Sequence, residues 1–238
     1  MLKRAVKYAD AVVAPTHAIA ARLADIAPLG DRLRVIAGAA PIGFAVPTDD
    51  VGRRRALDLP EGFLLLSGGP VRSDGLDAGL AAIGAAGLDL PIVVIDTQEG
   101  DEPAIADLAS AAGIPERSVH VRGPLAVQDR AAVLGAALAF IAPSTRAAFP
   151  WRVIDALTLG VPVIAAESAV HREVIVDGGE IVSAADPAGL VEGMADAVKQ
   201  ALASTAAADR LAVLAGDRGR AFSWHEAAER VWQLHAEL

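Results

Sequence analysis

The chain has 238 residues, a formal net charge of −9 and no cysteine. This length suits one large α/β domain, or one domain with an appendage. The acidic charge argues against a general binder of nucleic acid or of anionic membranes, because phosphate groups attract a basic surface. The lack of cysteine excludes disulfides, thiolate catalysis and cysteine-ligated zinc.

Apolar composition and segment lengths bear on the compartment. Hydrophobic residues make up 53% of the chain and aromatic residues 4%, so the core is expected to consist of Ala, Val, Leu and Ile. No apolar run reaches the roughly 18 residues of a membrane span, and no signal-peptide core follows the first residues. The histidines and carboxylates show no metal-binding spacing. We expect a cytoplasmic protein with no membrane segment, no metal and no other cofactor.

The N-terminal segment contains short helix and strand patterns. A helix is predicted within residues 2–10, a strand over 11–15, and a second helix over 16–24 whose first turn is capped by the hydroxyl of Thr16. A further strand is predicted over 34–37, before a proline-bounded loop. One interpretation is that residues 1–45 form a βα unit added to a single domain.

From residue 49 onward, strand and helix patterns alternate. Strands are predicted over 63–67, 91–97, 119–122, 138–142, 161–166 and 180–183. Helices are predicted from Asp49 or Asp50, over 76–86, 103–112, 127–136, 149–159 and 188–203, then to about 215, and over 224–237. The strands are too apolar to face water on one side, which is typical of a parallel sheet with helices on both faces. The sequence therefore predicts an α/β, Rossmann-like fold.

Three loops follow the carboxyl ends of predicted strands, where open α/β sheets bind their ligands. They span residues 68–75, 123–124 and 143–150. The first is rich in glycine, so its backbone N–H groups can approach a phosphate at the start of the following helix. Glycine also serves turn geometry alone, so this signal is weak by itself. Arg72 is the only cation in that loop.

The segment 138–181 resembles the donor-binding signature of family 4 glycosyltransferases. The residues in register are Pro143, Ser144, Phe149, Ala156, Gly160, Pro162, Val163, Ile164, Glu173 and Val174. Residues 9–16 resemble the phrase that closes the N-terminal domain of that family. The tripeptide at 222–224, Phe-Ser-Trp, resembles the start of its last helix. The matches follow the family order over nearly the whole chain.

This resemblance implies the C-terminal half of a two-domain GT-B fold and retaining transfer of sugar from a nucleotide donor. It divides the chain into a remnant of the N-terminal domain with the crossing segment (1–45), a nucleotide-sugar-binding domain (46–222) and a C-terminal bracing helix (223–238). The implied partners are a nucleotide-diphosphate sugar and either an N-terminal partner domain or a second copy of the chain. If that domain is missing, the strand at 11–15 and the last helix are expected to pack on each other or on a second copy.

The resemblance also implies a set of donor-binding residues, without assigning a catalytic one. They are Gly68, Gly69, Arg72, Gly123, Ser144, Phe149 and Asp155. In the family, two glutamates contact the sugar and the ribose, and an arginine and a lysine in the glycine-rich loop neutralise the diphosphate. Asp155 stands at the second glutamate position, one methylene shorter.

Several positions depart from the family pattern. The first glutamate position is Ala147, and the two glycine positions are Ala148 and Pro150. The glycine-rich loop ends near Asp74, whose carboxylate would repel a diphosphate. Two hypotheses stay open at this point. The chain is the donor-binding half of a glycosyltransferase, or it is a catalytically degenerate relative that acts as a structural or interaction subunit.

Overall fold

The computed structural model describes residues 2–238, with side chains from Arg4 onward. The strands are β1 Val12–Ala14, β2 Leu33–Val35, β3 Phe63–Ser67, β4 Ile92–Ile95, β5 Val119–Val121, β6 Ala137–Ala142, β7 Val163–Ala166 and β8 Glu180–Val182. The helices are α1 Leu2–Tyr8, α2 His17–Ala24, α3 Asp50–Ala56, α4 Leu76–Ala86, α5 Glu102–Ala111, α6 Val127–Ala136, α7 Trp151–Thr158, α8 Ala169–Ile175, α9 Pro187–Ala201, α10 Thr205–Gly219 and α11 Trp224–Glu237.

Six strands form the central sheet in the order β5-β4-β3-β6-β7-β8. All pairs are parallel, and the pairing of Leu65 with Val93 on one side and with Phe140 on the other fixes the register of the central strand. The chain leaves β3 towards β5 and returns to its other side at β6. The strand order therefore reverses between β3 and β6, the position at which open α/β sheets form ligand clefts. The predicted α/β, Rossmann-like architecture is confirmed.

The core has two layers, one on each face of this sheet. Phe63 and Leu65 lie in one apolar cluster, and Leu64 and Leu66 lie in the other. Successive side chains of a strand point to opposite faces, so a strand covered on both sides must be apolar at every position. All four side chains are fully buried.

Polar side chains cap several helix starts, among them the predicted cap Thr16. The hydroxyl of Thr16 accepts a hydrogen bond from the N–H of Ile19, and the Asp186 carboxylate and the Ser223 hydroxyl cap α9 and α11 in the same way. The helix predicted from residue 149 begins instead at Trp151. Pro150 precedes it, and a residue before proline is disfavoured in helical conformation. The helix predicted to end near 215 continues to Gly219.

A carboxylate of the sheet domain caps a helix of the N-terminal segment. The strands β1 and β2 form a separate two-stranded parallel sheet, and α2 connects them in the chain. Glu173 on α8 accepts hydrogen bonds from the backbone N–H of His17 at 2.7 Å and of Ala18 at 3.0 Å, and its Oε1 lies 2.8 Å from His17 Nδ1. A negative charge at a helix N-terminus is stabilising, so this contact ties α2 to the main domain.

The last helix contacts the segment before residue 45 at both of its ends. Trp224 Nε1 donates to the carbonyl of Ala40 at 2.8 Å, and Arg34 forms an ion pair with Glu237 at 2.9 Å. The division at residues 45 and 222 nevertheless stays a prediction. No helix among residues 2–238 combines the length and the apolar character needed to cross a bilayer.

We predict that Glu173→Gln lowers the free energy of unfolding at pH 7 by about 1 kcal/mol, because it removes the charge at the start of α2. Burial raises the pKa of Glu173, but the N–H groups of His17 and Ala18 and the His17 imidazole outweigh it and hold this pKa below its ordinary value of 4.5. The stabilisation is therefore present above 4.5 and is lost as the pH falls through the lowered value.

Urea unfolding at pH 7 and at about pH 3 measures this effect, with Glu192→Gln as control, since Glu192 is exposed on α9. The difference between wild type and Glu173→Gln should shrink at the acidic pH. A difference of the same size at both pH values would contradict the capping role.

Candidate functional site

A cavity of about 350 Å³ opens at the carboxyl edge of the sheet, where the strand order reverses. The ends of β3 and β6, the loop after β6 and the first turn of α7 form its walls. The side chains with polar groups that line it belong to Ser67, Asp74, Asp96, Ser144, Trp151, Arg152 and His171. Ala147, at the first glutamate position of the family signature, also lines it.

The glycine-rich loop is closed by its own acidic residue. Gly68 has a φ of +113°, and the carboxylate of Asp74 accepts a hydrogen bond from the N–H of Gly69 at 2.9 Å. A Cβ on Gly75 would lie 2.9 Å from the carbonyl oxygen of Pro143, so only glycine lets this loop approach the one after β6. Asp74 thus occupies an N–H group of the loop that the sequence predicts to approach a phosphate.

Ser144 joins the two loops that border the cavity. Its hydroxyl donates to the carbonyl of Ser73 at 2.6 Å and accepts from the N–H of Arg146 at 3.3 Å. The hydroxyl is therefore engaged within the protein while the residue lines the cavity. Its predicted role in donor binding stays a prediction.

Four charged side chains form a network beside the cavity. Asp155 Oδ2 accepts from Arg130 Nε and from Arg152 Nη1, each at 3.0 Å. Arg152 also binds Asp96 through two parallel contacts, of 2.6 and 2.9 Å. Asp96 follows β4 with a φ of +62°, a left-handed conformation that is uncommon outside glycine. The network links α6, α7 and the end of β4, and its four charges sum to zero.

Asp155, the residue that the resemblance assigns to the ribose of the donor, lies inside this network. Only 2% of the Asp155 side chain is exposed, and Asp155 is not among the residues that line the cavity. Burial raises the pKa of Asp155, against the neighbouring guanidinium groups of Arg130 and Arg152, which lower it. Burial disfavours the charge of Arg152, but Asp96 and Asp155 outweigh it and raise the pKa of this guanidinium. The Asp155 carboxylate is therefore engaged by two arginines of the protein and does not face the cavity.

Phe149 does not line the cavity but packs against Trp151, which does. Its ring meets that of Trp151 edge to face at 4.6 Å, and Trp151 stacks on Trp224 at 6.4 Å. The backbone of Gly38 packs so close that a Cβ there would come within 2.6 Å of the Trp151 ring. Phe149 and Trp151 therefore connect the loop after β6 to the crossing segment and to α11.

The remaining predicted residues also lie away from the cavity walls. Arg72 is exposed and has no ion pair with any described residue. Gly123 follows the edge strand β5 and faces the carbonyl of Thr97. Arg122, before it, donates to the carbonyls of Leu57 and Asp58. The structure thus brings Ser144 to the cavity and places Gly68 and Gly69 behind Asp74.

A buried histidine completes the wall of the cavity. Only 1% of His171 is exposed, and its Nδ1 lies 2.7 Å from the carbonyl oxygen of Ala166 at the end of β7. Burial lowers the pKa of His171, although the hydrogen bond to Ala166 raises it, so the imidazole is neutral at pH 7. The Nε2 atom has no hydrogen-bond partner among the described residues.

Sequence reasoning missed Asp96, Arg152 and His171. Asp96 is the second-last residue of the strand predicted over 91–97, so its place near the carboxyl edge was readable, as was the i,i+3 spacing of Arg152 and Asp155. Nothing local to the sequence indicates that His171 faces the same cavity. Within residues 2–238, no group of three or more His, Cys, Asp or Glu side chains is arranged to hold a metal ion.

Sequence comparisons give one family model and one similar curated protein. The family model described as glycosyl transferases group 1 matches residues 85–204, about half of the chain. A D-inositol 3-phosphate glycosyltransferase of Nocardioides sp. is 28% identical over 98% of this chain and 55% of its own length.

Solved structures of similar fold include two at high overlap. A sucrose-phosphate synthase of Thermosynechococcus elongatus has a TM-score of 0.81 at 23% identity, covering 99% of this chain and 60% of its own. HepE of Anabaena, solved in complex with UDP-glucose, has a TM-score of 0.84 at 16% identity, covering 100% of this chain and 66% of its own. The fold implied by the sequence resemblance is confirmed. The chain spans between about half and two thirds of the length of these relatives.

We predict that Asp155→Asn lowers the free energy of unfolding by about 3–5 kcal/mol, because it leaves the guanidiniums of Arg130 and Arg152 facing each other without their shared anion. Urea unfolding at pH 7 measures the loss, and Asp196→Asn, which breaks an exposed pair with Lys199, is the matched control with little expected change. A loss no larger than that of the control would show that Asp155 is free for another task.

Proposed function

The chain belongs to the family of group 1 glycosyl transferases, and from that premise we propose that it binds a nucleotide-diphosphate sugar. It is the donor-binding half of a family 4 glycosyltransferase that transfers sugar with retention of configuration. The observation that carries this proposal is the cavity between β3 and β6, bordered by the glycine-rich loop and by Ser144 of the family signature.

The walls of the cavity offer limited electrostatic attraction to the diphosphate part of such a donor. The N–H of Gly69 and the start of the 11-residue helix α4 favour an anion. The Asp74 carboxylate already accepts from that N–H, and Arg152, the cation that lines the cavity, is paired with Asp96 and Asp155. A diphosphate must therefore displace Asp74 or bind beside it, and we expect weak binding of the nucleotide.

Family membership favours a transferase over a purely structural subunit. The solved structure of HepE, of the same fold, contains UDP-glucose, and the corresponding edge of the sheet in this chain is open. Ala147 has no side-chain acceptor for the sugar, so other groups of the cavity must bind it.

An apolar groove supports the second half of the proposal, a protein partner. It has a volume of about 830 Å³ and runs between the β1–β2 unit and α11. Trp232 on its wall is 75% exposed and Val13 is 47% exposed. Exposed apolar patches of this kind mark interfaces. We propose that an N-terminal partner domain covers this groove or, without such a domain, a second copy of the chain.

The nucleotide proposal predicts that calorimetric titration with UDP, GDP and ADP shows binding of one diphosphate. Asp74→Asn should strengthen that binding roughly tenfold, because it removes a negative charge beside the Gly69 N–H. Asp89→Asn is the matched control, since Asp89 is exposed at the opposite edge of the sheet, before β4. If wild type and Asp74→Asn both fail to bind at millimolar ligand, the donor-binding function is wrong.

The partner proposal predicts a mass that rises with concentration in light scattering of the wild-type chain. Trp232→Ser should return the mass to that of one chain, whereas Val213→Ser, exposed on α10 outside the groove, should leave it unchanged. A mass of one chain at every concentration would contradict the second copy and leave the partner domain as the occupant.

A further inference from the structure

His171 is a polar residue that is almost completely buried beside the cavity. The side chain is 1% exposed and uses only one of its two ring nitrogens within the protein. Among the described residues, the fully buried side-chain nitrogen or oxygen atom without a partner is Arg54 Nε, so Nε2 of His171 is not sealed from the cavity. The imidazole lines the cavity, so the atom left over is Nε2, on the side of the ring away from Ala166.

The contact with Ala166 fixes which nitrogen carries the proton. A carbonyl oxygen only accepts hydrogen bonds, so Nδ1 must be the donor at the observed 2.7 Å. In a neutral imidazole the other nitrogen then has a free lone pair. Nε2 of His171 is therefore a hydrogen-bond acceptor held in a fixed orientation.

The other groups of the cavity indicate what kind of ligand atom would meet this acceptor. The carboxylates of Asp74 and Asp96 are acceptors as well, and three N–H groups of Arg152 are already used by Asp96 and Asp155. The Ser144 hydroxyl donates to the protein backbone. The Ser67 hydroxyl, the Trp151 indole N–H and the two other N–H groups of Arg152 remain as donors among the lining residues. A ligand part that fits these walls must therefore both donate and accept hydrogen bonds and carry no negative charge. Sugar hydroxyl groups meet this requirement, and phosphate groups do not.

We propose that His171 determines specificity for the sugar part of the ligand, with Nε2 accepting a hydrogen bond from a sugar hydroxyl group. This assignment rests on the proposed donor-binding function and deepens it. It gives the cavity wall at α8 to the sugar, and the glycine-rich loop at α4 to the phosphates. The sugar is thereby recognised on a wall that lacks the first glutamate of the family signature.

Two substitutions at this position separate the nitrogens. In His171→Asn, the amide can replace Nδ1 as donor to Ala166 but nothing replaces Nε2. In His171→Gln, the longer side chain places an amide near the Nε2 position. Thermal unfolding of both variants should first show that each is folded, and the variants then enter calorimetric titrations with UDP, GDP and ADP and with the glucose conjugate of each.

We expect wild type to bind one glucose conjugate more tightly than its diphosphate. His171→Asn should lose roughly tenfold of that advantage, with affinity for the diphosphate unchanged, and His171→Gln should restore part of it. Equal losses for conjugate and diphosphate would overturn the assignment, as would a wild type that does not distinguish the two. A wild type that binds none of the six ligands would refute the donor-binding function itself.

Discussion

One buried carboxylate holds together the elements that frame the cleft. Asp155 lies between two guanidinium groups, and through Arg152 it reaches Asp96 at the end of a neighbouring strand. Removing one charge from this group leaves the other three with an unbalanced net charge in a mostly buried site, so the four residues act as a unit. These ion pairs help to position α7 against the sheet. Because α7 forms part of the cavity wall, they also help to determine the shape of the cavity.

The same network explains the electrostatics of the cleft. The two arginines that approach it are compensated within the protein, and Asp74 adds a negative charge at the glycine-rich loop. A cleft with this charge distribution offers a diphosphate little attraction beyond backbone N–H groups and the dipole of α4. Recognition then depends more on the uncharged sugar of the ligand, the part that we assign to His171.

The fold was predictable because its determinants are local. Continuous apolar strands such as Phe63–Ser67, capping residues such as Thr16 and the order of the family phrases each follow from short stretches of sequence. The site was less predictable because its contacts join distant segments. That Asp155 pairs with Arg130, or that Asp74 turns back to Gly69, depends on side-chain geometry that strand and helix patterns do not encode. The resemblance pointed to loops that border the cavity and, for Asp155 and Phe149, to positions that the structure fills with internal contacts.

The reversal of strand order between β3 and β6 also has a consequence for how the chain folds. The central strand β3 pairs on one side with β4, the next strand in the chain. Its other edge pairs with β6, which is synthesised only after β4, β5 and the helices α4, α5 and α6. During synthesis, a fully apolar strand edge is therefore exposed to other chains until β6 arrives. Contacts between such distant segments slow folding. The residues at the start of β6 therefore matter for escape from aggregation as well as for the final packing.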